Sequence, residues 1–222
     1  MSKLINFYEQ LPSEYKGKKQ NNPHLKLTHI ALPAFILISG RTGSGKTNSV
    51  INYLSLTSRN RKGTWDKIVI CCKNFSADPL YRFIKDKQPK LVDVYEVDSD
   101  GLPDPETYTG QGQILIIFDD LVNEKAYEPQ INQFFKYGRK LGFSMAFLTQ
   151  DYFKTNSFIR KNINYLWLFN LNSNTEKNNI LRNYPFMIDY MNLFKELKQE
   201  DNKPSNFVNI DIMKAKARLN FD

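Results

Sequence analysis

The segment Gly40-Arg41-Thr42-Gly43-Ser44-Gly45-Lys46-Thr47 constrains this chain more than any other. It fits the pattern G-x-x-x-x-G-K-[ST], and its flanks supply the structural context that the pattern requires. Before it runs Pro33-Ala34-Phe35-Ile36-Leu37-Ile38-Ser39, a short apolar stretch read as a buried strand. After it, up to about Leu56, Val50, Ile51 and Leu54 recur at helical spacing. A chance glycine turn would lack this order of strand, loop and helix. Glycine permits left-handed backbone and lets N–H groups approach an anion closely. The helix that follows presents its positive end to the same place. The implied ligand is the phosphate chain of a nucleoside triphosphate such as ATP. Gly40, Arg41, Thr42, Gly43, Ser44, Gly45, Lys46, Thr47 and Asn48 are expected to line it. Lys46 should reach the β- and γ-phosphates, and Thr47 should offer its hydroxyl to Mg²⁺.

The apolar runs along the rest of the chain repeat the same alternation. Strands are expected at Lys67–Cys72, Leu91–Val97, Ile114–Phe118, Phe143–Thr149, Tyr165–Phe169 and Phe207–Ile212. Helices are expected at Leu80–Ile84, Pro129–Leu141 and Leu181–Leu197, the last with Pro185 as a potential break. Residues 98–112, rich in Gly and Pro, and the Asn-rich stretch 170–179 read as loops. Strands alternating with helices imply a mainly parallel sheet with helices on both faces. The strands lack polar alternation, as strands buried on both sides do. Three segments follow: an N-terminal arm over residues 1–30, a core over 31–175, and a C-terminal helical and strand extension over 176–222.

Two strands deliver polar groups at their carboxyl ends, the edge where ligands bind in such sheets. Ile114-Leu115-Ile116-Ile117-Phe118 ends in Asp119-Asp120. Asp119 is expected to hold Mg²⁺ through a water, since that ion keeps several waters. Asp120 is expected to orient or deprotonate the attacking water, although it could instead cap the next helix. The run Phe143–Thr149 ends at Gln150, whose amide is the candidate to hold that water and report on the γ-phosphate, with Thr149 second. Between residues 129 and 161 stand six bases, Lys136, Arg139, Lys140, Lys154, Arg160 and Lys161, against one acid, Asp151. A solvated basic face would account for them, as would a nucleic-acid channel. An arginine reaching a neighbour's γ-phosphate would neutralise developing charge there. Arg139 and Arg160 are the candidates, with Arg139 preferred.

Composition limits the partners. The 222 residues carry a formal charge of +8, which favours polyanions such as nucleic acid. No apolar run reaches the ~20 residues that span a bilayer. Met1-Ser2-Lys3-Leu4 does not open a signal peptide, so the chain reads as soluble and intracellular. The two cysteines, Cys71 and Cys72, are neighbours and read as core thiols in a reducing compartment. With only His24 and His29 elsewhere, no zinc spacing exists. Aromatic residues at 14% suggest a well-packed core or base-stacking surfaces.

Together these residues resemble the FtsK–HerA superfamily of P-loop ATPases. Within it they are most similar to the poxvirus-type genome-packaging ATPases of large DNA viruses, virophages and polintons. The resemblance rests on Gly40–Thr47, Ile114–Asp120, Phe135-Lys136-Tyr137-Gly138-Arg139-Lys140 and Phe147-Leu148-Thr149-Gln150, and extends through Phe158-Ile159-Arg160-Lys161-Asn162. Relatives often carry histidine where this chain has Lys140, and the second acid here is aspartate rather than glutamate. The resemblance implies an α/β, RecA-like (ASCE) P-loop core with strand order 5-1-4-3-2. It further implies a homo-oligomeric ring that hydrolyses ATP with Mg²⁺ and pumps double-stranded DNA into a preformed viral capsid. The site of action would be the host cytoplasm or the virion. A nucleotide or small-molecule kinase would need a lid with clustered arginines, which the sequence does not show. A nucleotide-gated scaffold without turnover would not need the acid pair.

Overall fold

The apolar runs become one sheet. The computed structural model describes residues 5–12, 20–58, 63–171, 173–197 and 205–222. Met1–Leu4, Lys16, Lys18 and Lys19, all read above as part of the arm, lie outside the described residues. In chain order the elements are α1 (Phe7–Gln10), α2 (Leu25–Thr28), β1 (Phe35–Ser39), α3 (Lys46–Leu56), β2 (Lys67–Cys72), α4 (Pro79–Lys87), β3 (Val92–Glu96) and α5 (Val97–Asp100). There follow β4 (Ile114–Asp119), α6 (Glu128–Leu141), β5 (Phe143–Thr149), α7 (Ser157–Asn162), β6 (Tyr165–Leu168), α8 (Asn174–Leu181), β7 (Val208–Asp211) and β8 (Lys216–Leu219). Short 3₁₀ turns occupy Pro105–Tyr108 and Pro185–Leu197.

The eight strands lie in the order β3-β2-β4-β5-β1-β6-β7-β8. The first six in that row are parallel, while β7 and β8 continue the sheet antiparallel beyond β6. If β3 is set aside as an added edge strand, β1, β2, β4, β5 and β6 give the order 5-1-4-3-2 that the resemblance implied. The α/β fold class and the mainly parallel sheet are therefore as expected.

Adjacent residues on a strand face opposite sides of the sheet, and two apolar layers follow from that. Cys71 belongs to one layer and Cys72 to the other. Both are buried free thiols, and burial pushes their pKa values up, Cys72 to about 12. One layer is dominated by Phe118, Phe134, Phe135 and Phe147, in edge and tilted ring contacts 5.4–6.5 Å apart. The other packs α3 and α4 through Val50, Tyr53, Leu54 and Tyr81. Many of the large aromatic side chains thus fill the core.

Four segments differ from the sequence reading. The Asn-rich stretch expected to be a loop contains most of α8, whose N-cap Ser173 accepts from Glu176 N through its Oγ at 3.0 Å. Ser at the N-cap with Glu three residues on is a helix-start signature, and it outweighs the weak propensity of asparagine. The helix expected over Leu181–Leu197 instead ends at α8, and Pro185–Leu197 winds as 3₁₀ turns. Pro185 lacks the N–H that would continue the ladder. β8 was not anticipated; with four residues at the sheet's edge, it carries little pattern. Residues 98–112 contain α5 and a 3₁₀ turn, joined by Gly101, Gly110 and Gly112 at positive φ. Among the described residues, no helix is long and apolar enough to cross a membrane.

Candidate phosphate and metal site

Strand register brings the polar strand ends together. Ser39 lies opposite Thr149 and Leu168, and Asp119 lies opposite Leu148 and Cys72. The glycine loop, the acid pair and Gln150 therefore leave the sheet at one edge. The loop is closed by Ser44 N donating to Arg41 O at 3.2 Å, and Gly40 N donates to Thr149 O at 3.2 Å. Gly43 and Gly45 sit at φ 75° and 90°, left-handed conformations that a side chain would strain. Gly45 is also the N-cap of α3, so the loop runs straight into a helix start. A Cβ on Gly40 would stand 2.5 Å from Phe169 Cβ, so close packing fixes that position as well.

Residues 42–48, Asp78, Pro79, Leu80, Asp119, Asp120 and Gln150 line a cleft of about 360 Å³, and Gly40 and Arg41, expected to line it, stand outside that lining. Lys46 folds over the loop, its Nζ donating to Gly40 O at 2.8 Å and Arg41 O at 3.1 Å. Burial lowers the Lys46 pKa, and the charges of Asp119 and Asp120 oppose that shift. Thr47 Oγ1 lies 3.4 Å from Asp119 Oδ2. Burial raises the Asp119 pKa, opposed by the Tyr81 hydrogen bond and by Lys46, with Asp120 and Asp78 adding to the rise. Gln150 bridges the two halves of the site. Its Nε2 donates to Asp120 Oδ2 at 3.0 Å, and its Oε1 accepts from Thr42 Oγ1 at 2.8 Å. Thr149, the second candidate, is buried and turned to Asp151, with Oγ1 donating to Asp151 O at 2.9 Å.

The residues present fit a magnesium-bound triphosphate. Gly43 and Gly45 take the left-handed backbone of a phosphate loop, and the loop runs into the start of α3. The buried Ser44 hydroxyl has no hydrogen-bond partner among the described residues. A hydroxyl and a carboxylate stand side by side as hard oxygen donors, the set that Mg²⁺ takes. Asn48 lines this cleft and also a neighbouring hollow of about 210 Å³ formed with Asn52, Ser205, Asn206, Phe207, Asn220 and Phe221.

The two arginines part company. α6 runs back along the strands, and its 14 residues, ~21 Å long, carry Arg139 to the amino edge of the sheet. There its guanidinium stacks on Phe35, the first residue of β1, 5.4 Å from the ring centroid. Arg160 stays at the carboxyl edge, its guanidinium 5.2 Å from the Tyr152 ring and 5.8 Å from that of Phe153, in the loop that begins with Gln150. Its Nε donates to Thr155 O at 3.0 Å.

Sequence reasoning missed two residues, one in the cleft wall and one buried behind it. Tyr81 donates its hydroxyl to Asp119 Oδ2 at 2.6 Å, and Asp78 caps α4 at the cleft wall. Neither lies near a motif in sequence.

Residues 105–213 match the family model of the poxvirus A32 protein. That span holds Asp119, Asp120, Arg139, Gln150 and Arg160, and the resemblance to the poxvirus-type packaging ATPases is borne out over it. No curated protein matches the sequence. Among solved structures, the genome packaging NTPase B204 of Sulfolobus turreted icosahedral virus 2, in complex with ATP-gammaS, superposes with TM-score 0.56 at 16% identity. That superposition covers 84% of this chain and 96% of B204. EssC ATPases 2 and 3 of Geobacillus thermodenitrificans superpose with TM-score 0.55 at 13% identity, covering 86% of this chain and 40% of theirs. The pCW3 conjugation coupling protein TcpA superposes with TM-score 0.53 at 14% identity, covering 87% of this chain and 62% of its own. At these identities the likeness is one of fold.

Proposed function

We propose that this chain is an ATP-hydrolysing motor that moves double-stranded DNA, working in the host cytoplasm or the virion as a homo-oligomeric ring that loads a viral genome into a preformed capsid. The observation that carries the hydrolytic reading is the Gln150 bridge between Asp120 and the phosphate-loop residue Thr42. It links the acid that would take a proton from water to the loop that would hold the γ-phosphate. Lys46 would bind the β- and γ-phosphates, and Thr47 and Asp119 would hold Mg²⁺, which would supply charge neutralisation on those phosphates. Asp120 accepts the proton as the water oxygen bonds to the γ-phosphorus, and Gln150 orients that water. The bond to ADP breaks, and ADP and phosphate leave. Asn48 lines both the cleft and the neighbouring hollow, and it would be the contact between phosphates and nucleoside.

The DNA reading is supported by the +8 charge and by the family whose model the chain matches, together with the packaging function named for B204. Hydrolysis should rise when duplex DNA of any sequence is added. Bound lysines and arginines release counterions, so DNA affinity should fall by about 10³-fold between 50 and 200 mM salt for some six phosphate contacts. No stimulation by any DNA, or stimulation by one short sequence alone, would remove the translocase reading and leave a plain NTPase.

Arg139 and Arg160 remain the two candidates to act on a neighbour's γ-phosphate, and Arg160, which shares the carboxyl edge with Gln150, is tested first. Arg160→Ala should keep nucleotide binding and lose about 10³-fold or more in turnover. Mixed with Lys46→Ala chains, it should recover activity, since each partner supplies what the other lacks. If no rescue occurs in mixed rings of proven assembly, the role passes to Arg139 or the trans mechanism fails.

A further inference from the structure

Asp119 is held by a residue that no phosphate-site pattern contains. Its Oδ2 lies 2.6 Å from the Tyr81 hydroxyl and 3.4 Å from Thr47 Oγ1. The shorter contact has the length of a charge-assisted bond from a hydroxyl to a carboxylate. Tyr81 is 1% exposed and packs within the α3–α4 apolar layer, so its hydroxyl position is set by the core. The start of α4 is itself fixed, because Asp78 Oδ1 accepts from Leu80 N at 2.9 Å and Tyr81 N at 3.1 Å. Asp78, Pro79 and Leu80 form one wall of the phosphate cleft. Tyr81 therefore joins that wall to the strand end opposite it.

From this geometry we infer that Tyr81 is a positioning residue of the metal half-site, fixing the rotation of the Asp119 carboxylate beside Thr47. The inference rests on the nucleotide reading above. The last torsion of an aspartate is broad and weakly restrained by its own chain. A carboxylate that is to meet a magnesium shell gains from being turned in advance by a rigid donor. A tyrosine anchored in the core is such a donor, whereas Thr47 belongs to the loop that must itself receive the phosphates. Tyr81 does not line the cleft and acts through Asp119, so its effect should appear in how the site responds to magnesium.

The test is binding of a fluorescent ATP analogue to the full chain, wild type and Tyr81→Phe, titrated with Mg²⁺ and repeated in EDTA. Phenylalanine keeps the ring in the core, and thermal unfolding checks that the fold survives. Metal-free binding should be unchanged. The Mg²⁺ concentration at half-maximal tight binding should rise about tenfold, as for other groups that hold metal ligands. An unchanged Mg²⁺ midpoint would overturn the inference. Equal losses with and without metal would overturn it too, by showing that the hydroxyl only supports the fold. A wild-type chain that binds the analogue without regard to Mg²⁺ would overturn the metal role of Asp119 and with it that of Tyr81, and one that does not bind the analogue at all would bring down the nucleotide reading itself.

Discussion

Lys46→Ala should abolish tight ATP binding or turnover while leaving the fold intact. Lys46 Nζ lies in the cleft and bonds to Gly40 O and Arg41 O, carbonyls of the loop itself. Water can take over those carbonyls in an open cleft, so little stability should be lost. Phosphate oxygens would lose the one side-chain cation that lines the cleft among the described residues. Removing such a preorganised charge costs ~3–4 kcal/mol, or a factor of about 10²–10³ in turnover. Calorimetric titration with Mg·ATP and a phosphate-release assay would measure both effects, and a thermal melt would confirm the fold. Turnover near that of the wild type would overturn the assignment of the phosphate loop.

Local signals in the sequence carried most of this architecture. Phe35–Ser39, Ile114–Asp119 and Phe143–Thr149 are unbroken apolar runs that end in polar residues, and each became a central strand. Parallel register then made it inevitable that Gly40, Asp120 and Gln150 would meet at one edge. What stayed hidden depended on the third dimension. Arg139 and Arg160 look alike in sequence, each in a basic stretch at the end of a helix. Only the direction of α6 shows that Arg139 is carried away from the phosphate loop, while the short α7 leaves Arg160 close to it. Tyr81 is one aromatic among many, and nothing local ties it to an aspartate 38 residues away. For α8 a signal was present in Ser173 and Glu176, but asparagine content obscured it.

Asp120→Asn should bind Mg·ATP as the wild type does and barely hydrolyse it. The backbone makes this a clean substitution. Asp120 has φ 56°, in the left-handed region that disfavours most side chains. Asparagine is among the few non-glycine residues that tolerate it, so the turn after β4 should not move. The amide also keeps the size of the carboxylate, and its oxygen can still accept from Gln150 Nε2. What disappears is the negative charge and the ability to take a proton. A positioned base contributes typically ~10²–10⁴-fold, and the loss of turnover should fall in that range. Binding should survive because Lys46, Thr47 and Asp119 still meet the phosphates and the ion. Single-turnover hydrolysis measured beside equilibrium binding separates the two. A parallel fall in both would make Asp120 a metal partner or a support for the turn. Alanine at this position would not decide the matter, since it would add backbone strain to the loss of the base.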